Sequence, residues 1–147
     1  MAARIAFAAC LGSTLFMTGL IWFVHVVHYP LMAKVGADGF RAYHADHTRL
    51  TGSVVGGPML VELVSAAWLV FADRPRDLPF AWAVAGLVLA LVTWGVTGLQ
   101  SVPAHNRLAL GFDAATHRRL VATDLTRALA WTGHAAVLLA ATWRMID

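Results

Sequence analysis

Two pairs of histidines are the residues in this sequence whose type and spacing most clearly suggest chemistry. They are His25 with His28, and His44 with His47. The members of each pair are three residues apart, a spacing that places both imidazoles on one face of an α-helix. Two such imidazoles can chelate one metal ion, or present one ligand each to two ions. The pairs therefore predict a histidine-rich metal site if the fold brings them together.

Two further residues are candidate ligands of the same site. Glu62 is the only glutamate and lies within an apolar stretch, where a carboxylate is costly unless paired, protonated or ligating. His105 is predicted to lie at the same end of the molecule as the histidine pairs. Imidazoles with one carboxylate suit zinc, iron or copper, among which the sequence does not distinguish. The predicted metal ligands are His25, His28, His44, His47, Glu62 and His105.

A second set of polar residues recurs along the last apolar segment. His117, Asp124, Arg127 and His134 are spaced so that they share one helix face. Asp124 and Arg127 are predicted to pair within the helix, which lowers the cost of inserting both in a membrane. Asp124, Arg127 and His134 are the predicted catalytic residues, which would tune charge and shuttle protons. His117 and His134 are weaker candidates as metal ligands.

The elements that must position these side chains are membrane-spanning helices. Of the 147 residues, 59% are hydrophobic and 13% are charged, against about a quarter charged in soluble domains. Four apolar stretches, at about 5–27, 53–72, 79–99 and 120–143, each approach the ~20 residues that cross a bilayer. The sequence therefore predicts an all-α, polytopic four-helix bundle, with residues 1–147 forming a single transmembrane domain.

The connections between these stretches are of unequal length. Residues 29–52 and 100–119 form two long connections on one side of the membrane, and six of the seven histidines lie at that end. Each long connection is predicted to contain a short amphipathic helix, capped by Asp38 or Asp113 respectively. Pro58 is expected to kink or break the second span near its start. The distribution of lysine and arginine leaves the orientation in the membrane open.

The two halves of the chain show a faint similarity. The first span ends W-x-x-H-x-x-H-x-P and the third ends W-x-x-T-x-x-Q-x-x-P, at residues 22–30 and 94–103. Each proline is followed by a connection and then by H-x-R-L. This pattern indicates a parallel repeat of two hairpins, which would bring the polar residues of both halves to one central site.

The combined motifs resemble a family of small bacterial four-helix membrane proteins. The matching stretches are HYP at 28–30, YHADH at 43–47, PMLVEL at 58–63 and QSVPAHNRL at 100–108. The resemblance implies a fold and a location in the bacterial inner membrane, but little about activity. Through VPAHNRL (residues 102–108) the chain is also distantly similar to anthrone-oxygenase-like membrane proteins. The HxxxH and HxxHH boxes of membrane desaturases are absent from it.

These features predict a membrane metalloprotein, with an oxidoreductase acting on a lipid-soluble small molecule as the leading hypothesis. A b-type haem protein for electron transfer or quinol oxidation is an alternative, with haem held between His25 or His28 and His134. A metal or proton carrier and a non-catalytic membrane subunit are further alternatives, since histidine and tyrosine also favour the membrane interface. The expected partners are the bilayer, an apolar small molecule and, for a transport pathway, further copies of the chain. The net charge of +3 without a basic run does not indicate nucleic acid.

Overall fold

Four long helices, joined by short connections, make up the protein. The structure, a computed structural model, describes residues 1–146, and within that range it contains no β-strand. The helices are α1 (Ala2–Met32), α2 (Ala37–Phe71), α3 (Phe80–Leu108) and α4 (Ala114–Ile146). Helix α1 packs against α2 and α4, and α3 packs against α4 and α2. The predicted all-α bundle of four helices is confirmed.

Three of the four helices are long and apolar enough to cross a membrane. They are α1, α2 and α3, which is consistent with a membrane protein. Helix α4 is not among them, because its polar face interrupts the apolar sequence. Its crossing of the membrane stays a prediction.

The helices are longer than the predicted spans, and the connections are correspondingly shorter. Helix α2 is one continuous element that includes both the segment predicted as a separate amphipathic helix and most of the predicted span 53–72. Pro58 lies inside this helix and does not break it. The cap predicted at Asp38 is wrong, because Gly36 occupies the N-cap position and no side chain caps the helix. The cap predicted at Asp113 is confirmed, since its Oδ1 accepts a 2.7 Å hydrogen bond from the backbone N–H of Thr116.

Helices α1 and α3 each contain one π-helical turn near the histidine end. The turns are Val24–His28 and Thr97–Ser101, and a proline follows each within two residues, at Pro30 and Pro103. A proline cannot donate a hydrogen bond to the carbonyl four residues earlier, and a π turn shifts that bonding by one residue. The turns lie within the two stretches whose similarity predicts the repeat, and the repeat itself stays a prediction.

Small residues allow α3 and α4 to approach closely. Ala83, Gly86, Ala90 and Thr93 form the buried face of the first part of α3. A Cβ added at Gly86 would lie 2.7 Å from Nε2 of His134 on α4. Such small-residue faces are the usual contact between membrane helices, where dispersion rather than exclusion of water drives packing. The absence of a side chain at Gly86 therefore leaves room for the imidazole of His134.

Candidate functional site

Four imidazoles from three helices meet at the histidine end, and we call this group the histidine cluster. It consists of His28 on α1, His44 and His47 on α2, and His105 on α3. Nε2 of His28 lies 2.8 Å from Nδ1 of His47, and Nε2 of His44 lies 3.1 Å from Nδ1 of His105. The ring centres of His44, His47 and His105 are 5.2, 5.3 and 6.0 Å apart. The fold thus brings together four of the six predicted ligands.

Polar neighbours bind the outer nitrogens of the histidine cluster. The hydroxyl of Tyr29 lies 3.3 Å from Nε2 of His105, and the hydroxyl of Thr51 lies 3.1 Å from Nδ1 of His47. His117 donates a 2.9 Å hydrogen bond from Nε2 to the backbone carbonyl of Tyr29, so it supports the cluster from outside. Within residues 1–146, no carboxylate forms an ion pair with any of the four clustered imidazoles.

The side chains of the histidine cluster are not arranged as a complete metal site. Among the described residues, no group of three or more His, Cys, Asp or Glu side chains is arranged so that it could hold a metal ion. One buried nitrogen of the cluster, Nδ1 of His44, has no hydrogen-bond partner in this part of the chain. The donor set suits zinc, iron or copper, and rotation of the imidazoles would be needed to complete a site.

Glu62 lies outside the histidine cluster, in a separate network within the bundle. Its Oε2 accepts a 2.7 Å hydrogen bond from the indole of Trp131, and its Oε1 accepts bonds from Thr14 at 3.1 Å and His134 at 2.8 Å. Nε2 of His134 lies 3.7 Å from Sγ of Cys10. The carboxylate is fully buried, and its contacts satisfy both oxygens. Glu62 therefore has the partners that an intramembrane carboxylate needs without any contact to the four imidazoles.

His25 is also separated from the cluster and faces Asp124 on α4. Its Nδ1 lies 3.3 Å from Oδ2 of Asp124. The predicted pairing within α4 is confirmed, with Nη1 of Arg127 3.4 Å from Oδ1 of Asp124. Arg127 also lies 3.4 Å from the hydroxyl of Ser101, and its guanidinium lies over the ring of Trp131 at 5.2 Å. The predicted catalytic residues are thus divided, because Asp124 and Arg127 contact each other whereas His134 contacts Glu62.

A cavity of about 270 Å³ connects the histidine cluster to Arg127. His47, His105 and Tyr29 line one part of it, and apolar side chains of α1 and α2 line another. Gly52 on α2 and Val102 on α3 line the cavity and are exposed, which indicates an opening between these two helices. A small apolar molecule could therefore enter from the side and lie against two imidazoles.

Several contributing residues were not singled out from the sequence as site residues. The sequence does not predict a role for Thr51, because isolated hydroxyl side chains are common in apolar helices. Tyr29 belongs to the HYP motif at residues 28–30, but its contact with His105 on another helix depends on the tertiary structure. No protein-family model, curated protein or solved structure matches the chain. The geometry of these residues therefore carries the functional argument.

Proposed function

We propose that this protein is an integral membrane metalloprotein. It binds one metal ion through His44, His47 and His105, and it oxidises or reduces a lipid-soluble small molecule in the adjacent cavity. The observation that carries the proposal is the triangle of these three imidazoles, contributed by two helices and bordered by the cavity.

The dimensions of the triangle support a shared ion. A metal–imidazole bond is about 2.1 Å, so two nitrogens on one tetrahedral ion are roughly 3.4 Å apart and their ring centres roughly 5 Å apart. Nε2 of His44 and Nδ1 of His105 are 3.1 Å apart, and the ring centres of the triangle are separated by 5.2–6.0 Å. Rotation of His47 toward the other two rings would bring a third nitrogen to the ion.

The outer contacts of two of the three imidazoles, those of His47 and His105, also suit metal binding. Metal-bound histidines usually use their second nitrogen for a hydrogen bond that sets tautomer and orientation. Nε2 of His105 is beside the Tyr29 hydroxyl, and Nδ1 of His47 is beside His28 and Thr51. These contacts leave Nδ1 of His105 and Nε2 of His47 for the ion. In this arrangement His28 is a positioning residue rather than a ligand.

The chemistry depends on which ion is bound. Iron or copper would supply the redox step, with dioxygen or a second electron carrier as the co-reactant. Zinc has no redox chemistry, so finding zinc would support the metal site but not the oxidation or reduction. Haem has less support, because both ring nitrogens of His134 already face polar partners, Glu62 and Cys10, and Gly86 lies against its ring. We therefore propose a non-haem ion.

Metal content is the direct test. Protein purified in detergent without a nickel column is expected to contain about one equivalent of iron, copper or zinc by plasma mass spectrometry. A His44→Ala/His105→Ala double variant is expected to lose it, while His25→Ala, which removes an imidazole that faces Asp124 outside the histidine cluster, should retain most of it. Metal content below one tenth of an equivalent in the wild type, or equal content in the double variant, would refute the proposed site.

A further inference from the structure

Arg127 is an incompletely bonded charged side chain that lines the cavity. The residue is only 7% exposed, and it lines the cavity. Its two hydrogen-bond contacts, to Asp124 and Ser101, are both long at 3.4 Å, and its Nε has no hydrogen-bond partner among residues 1–146. A guanidinium has five N–H donors. A buried guanidinium with unused donors is costly unless a ligand oxygen accepts from it.

The charges around Arg127 indicate which kind of ligand oxygen can accept its hydrogen bonds. Asp124 lies beside it and offsets its positive charge, and His25 faces the other carboxylate oxygen. A fully anionic ligand would therefore add an unbalanced negative charge to a buried site, which is unfavourable at low dielectric. A neutral acceptor, such as a carbonyl or phenol oxygen, can use the free donors without that cost.

The rest of the cavity sets the size and polarity of the molecule. Its wall on the first helix is apolar, formed by Met17, Leu20, Ile21 and Val24. A dry apolar cavity of about 150 Å³ accommodates benzene, so about 270 Å³ provides room for one or two rings. The opening between α2 and α3 would admit such a molecule from the bilayer.

We infer that the cavity binds a one- or two-ring apolar molecule through a carbonyl or phenol oxygen, which accepts hydrogen bonds from Arg127. The role of this molecule as a substrate rests on the proposed function, whereas its binding does not require the metal. The oxygen would point toward Arg127, and the ring would lie between the apolar wall and the imidazoles of His47 and His105.

The test compares 1-tetralone with tetralin, which has the same two-ring skeleton without the oxygen. Binding is measured by calorimetry on the protein in a maltoside detergent, with protein-free micelles as the blank. Tetralone is expected to bind about tenfold more tightly, the effect of a hydrogen bond to a charged donor. Its carbonyl stretching frequency should also fall on binding, as measured by infrared spectroscopy.

Three variants assign this preference to the cavity. Arg127→Met should bind the two probes equally, and Asp124→Asn/Arg127→Met should do the same without leaving a buried carboxylate unpaired. Val55→Phe, which fills the cavity away from the charges, should weaken binding of both probes. Arg107→Met, at an exposed arginine of α3, is the control and should not change either. Equal binding of both probes to the wild type, or a preference that persists without Arg127, would overturn the inference.

Two further experiments separate this inference from the proposed metal site and from binding of a bilayer lipid. A preference for tetralone that depends on Arg127 in protein treated with a chelator would support the inference even if the metal site is refuted. Stoichiometric metal without that preference would refute the inference alone. Competition by ester-linked but not ether-linked phospholipid would show that the carbonyl of a bilayer lipid occupies the cavity, and it would overturn the assignment of a ring molecule.

Discussion

Glu62 is a fully buried carboxylate that contacts two other helices. Thr14, Trp131 and His134 donate three hydrogen bonds to it from two other helices. Its carboxylate therefore connects α1, α2 and α4 at one point. Breaking such a buried network removes contacts on three elements at once and leaves donors without acceptors.

We predict that Glu62→Ala destabilises the protein strongly, by about 3 kcal/mol or more. Glu62→Gln should lose less, because its amide oxygen still accepts from one of the donors. The measurement is thermal or chemical unfolding in detergent, followed by tryptophan fluorescence. Asp46→Ala is the matched control, since this carboxylate is 68% exposed and its ion pair with Arg49 lies on the surface. Equal stability of Glu62→Ala and the wild type would contradict a structural role.

The two histidines of the first helix are three residues apart, but the local backbone geometry directs them to different neighbours. His25 and His28 both lie within the π turn Val24–His28. A π turn has i→i+5 bonding and contains an extra residue, so residues three apart are rotated further from a common face than in an α-helix. His25 faces Asp124, while His28 faces His47. The chelating pair expected from α-helical spacing is therefore not formed on this helix.

At the scale of elements, the close contact between α3 and α4 at His134 requires a glycine at position 86. Gly86→Ala would place a Cβ 2.7 Å from Nε2 and 3.0 Å from Cδ2 of His134. Because Glu62 holds the other side of this imidazole at 2.8 Å, the ring cannot move away without losing that hydrogen bond.

We predict that Gly86→Ala destabilises the protein by about 1–3 kcal/mol, as overpacking usually does. Gly95→Ala lies on the same helix, and nothing within 4 Å would meet its Cβ. It should be neutral or stabilising by up to about 1 kcal/mol, because alanine favours helix more than glycine does. Unfolding in detergent measures both, and a Gly86→Ala variant as stable as Gly95→Ala would show that α3 and α4 are less closely packed.

The start of α4 provides a prediction that depends on pH. Hydrogen bonds from Thr116 lower the pKa of the exposed Asp113 below its ordinary value of 3.8. Because the pKa is lower in the folded state, the cap contributes stability above about pH 4, and this contribution is lost as the pH falls through the folded-state pKa. Asp113→Asn retains a good capping residue that does not titrate. Thermal unfolding of Asp113→Asn should therefore depend less on pH between about 2 and 6 than that of the wild type, and an identical dependence would contradict the cap.

At the scale of the whole molecule, the open question is whether α4 crosses the membrane with the other three helices. It packs against α1 and α3, and it carries Asp124, Arg127 and His134 on its buried side. A polar helix face is tolerated in a bilayer when it is directed to the bundle interior. We therefore expect four crossings, with both termini on one side.

Cysteine labelling with a membrane-impermeant reagent tests this topology. Asp77→Cys and Arg144→Cys are expected to react from one side of the membrane, and Asp46→Cys and Asp113→Cys from the other. Cys10 is fully buried and should contribute little background. Reaction of Arg144→Cys and Asp113→Cys from the same side would show that α4 does not cross.

The sequence by itself determined the helical class, the apolar stretches and the end at which the histidines gather. These properties follow from local composition and period: long apolar runs predict spanning helices, and Asp113 caps a helix within three residues of itself. The pairing of Asp124 with Arg127 was predictable for the same reason, because the two residues are one turn apart.

The composition of the site was decided only by tertiary structure. His44, His47 and His105 meet because α2 and α3 pack side by side, whereas Glu62 pairs with His134, a residue 72 positions later. Residue type indicates that a buried carboxylate or imidazole needs a partner, but several partners satisfy that requirement equally well. The choice among them depends on helix rotation and depth, which arise from cooperative packing of small residues such as Gly86 and from the π turns that rotate the helix ends.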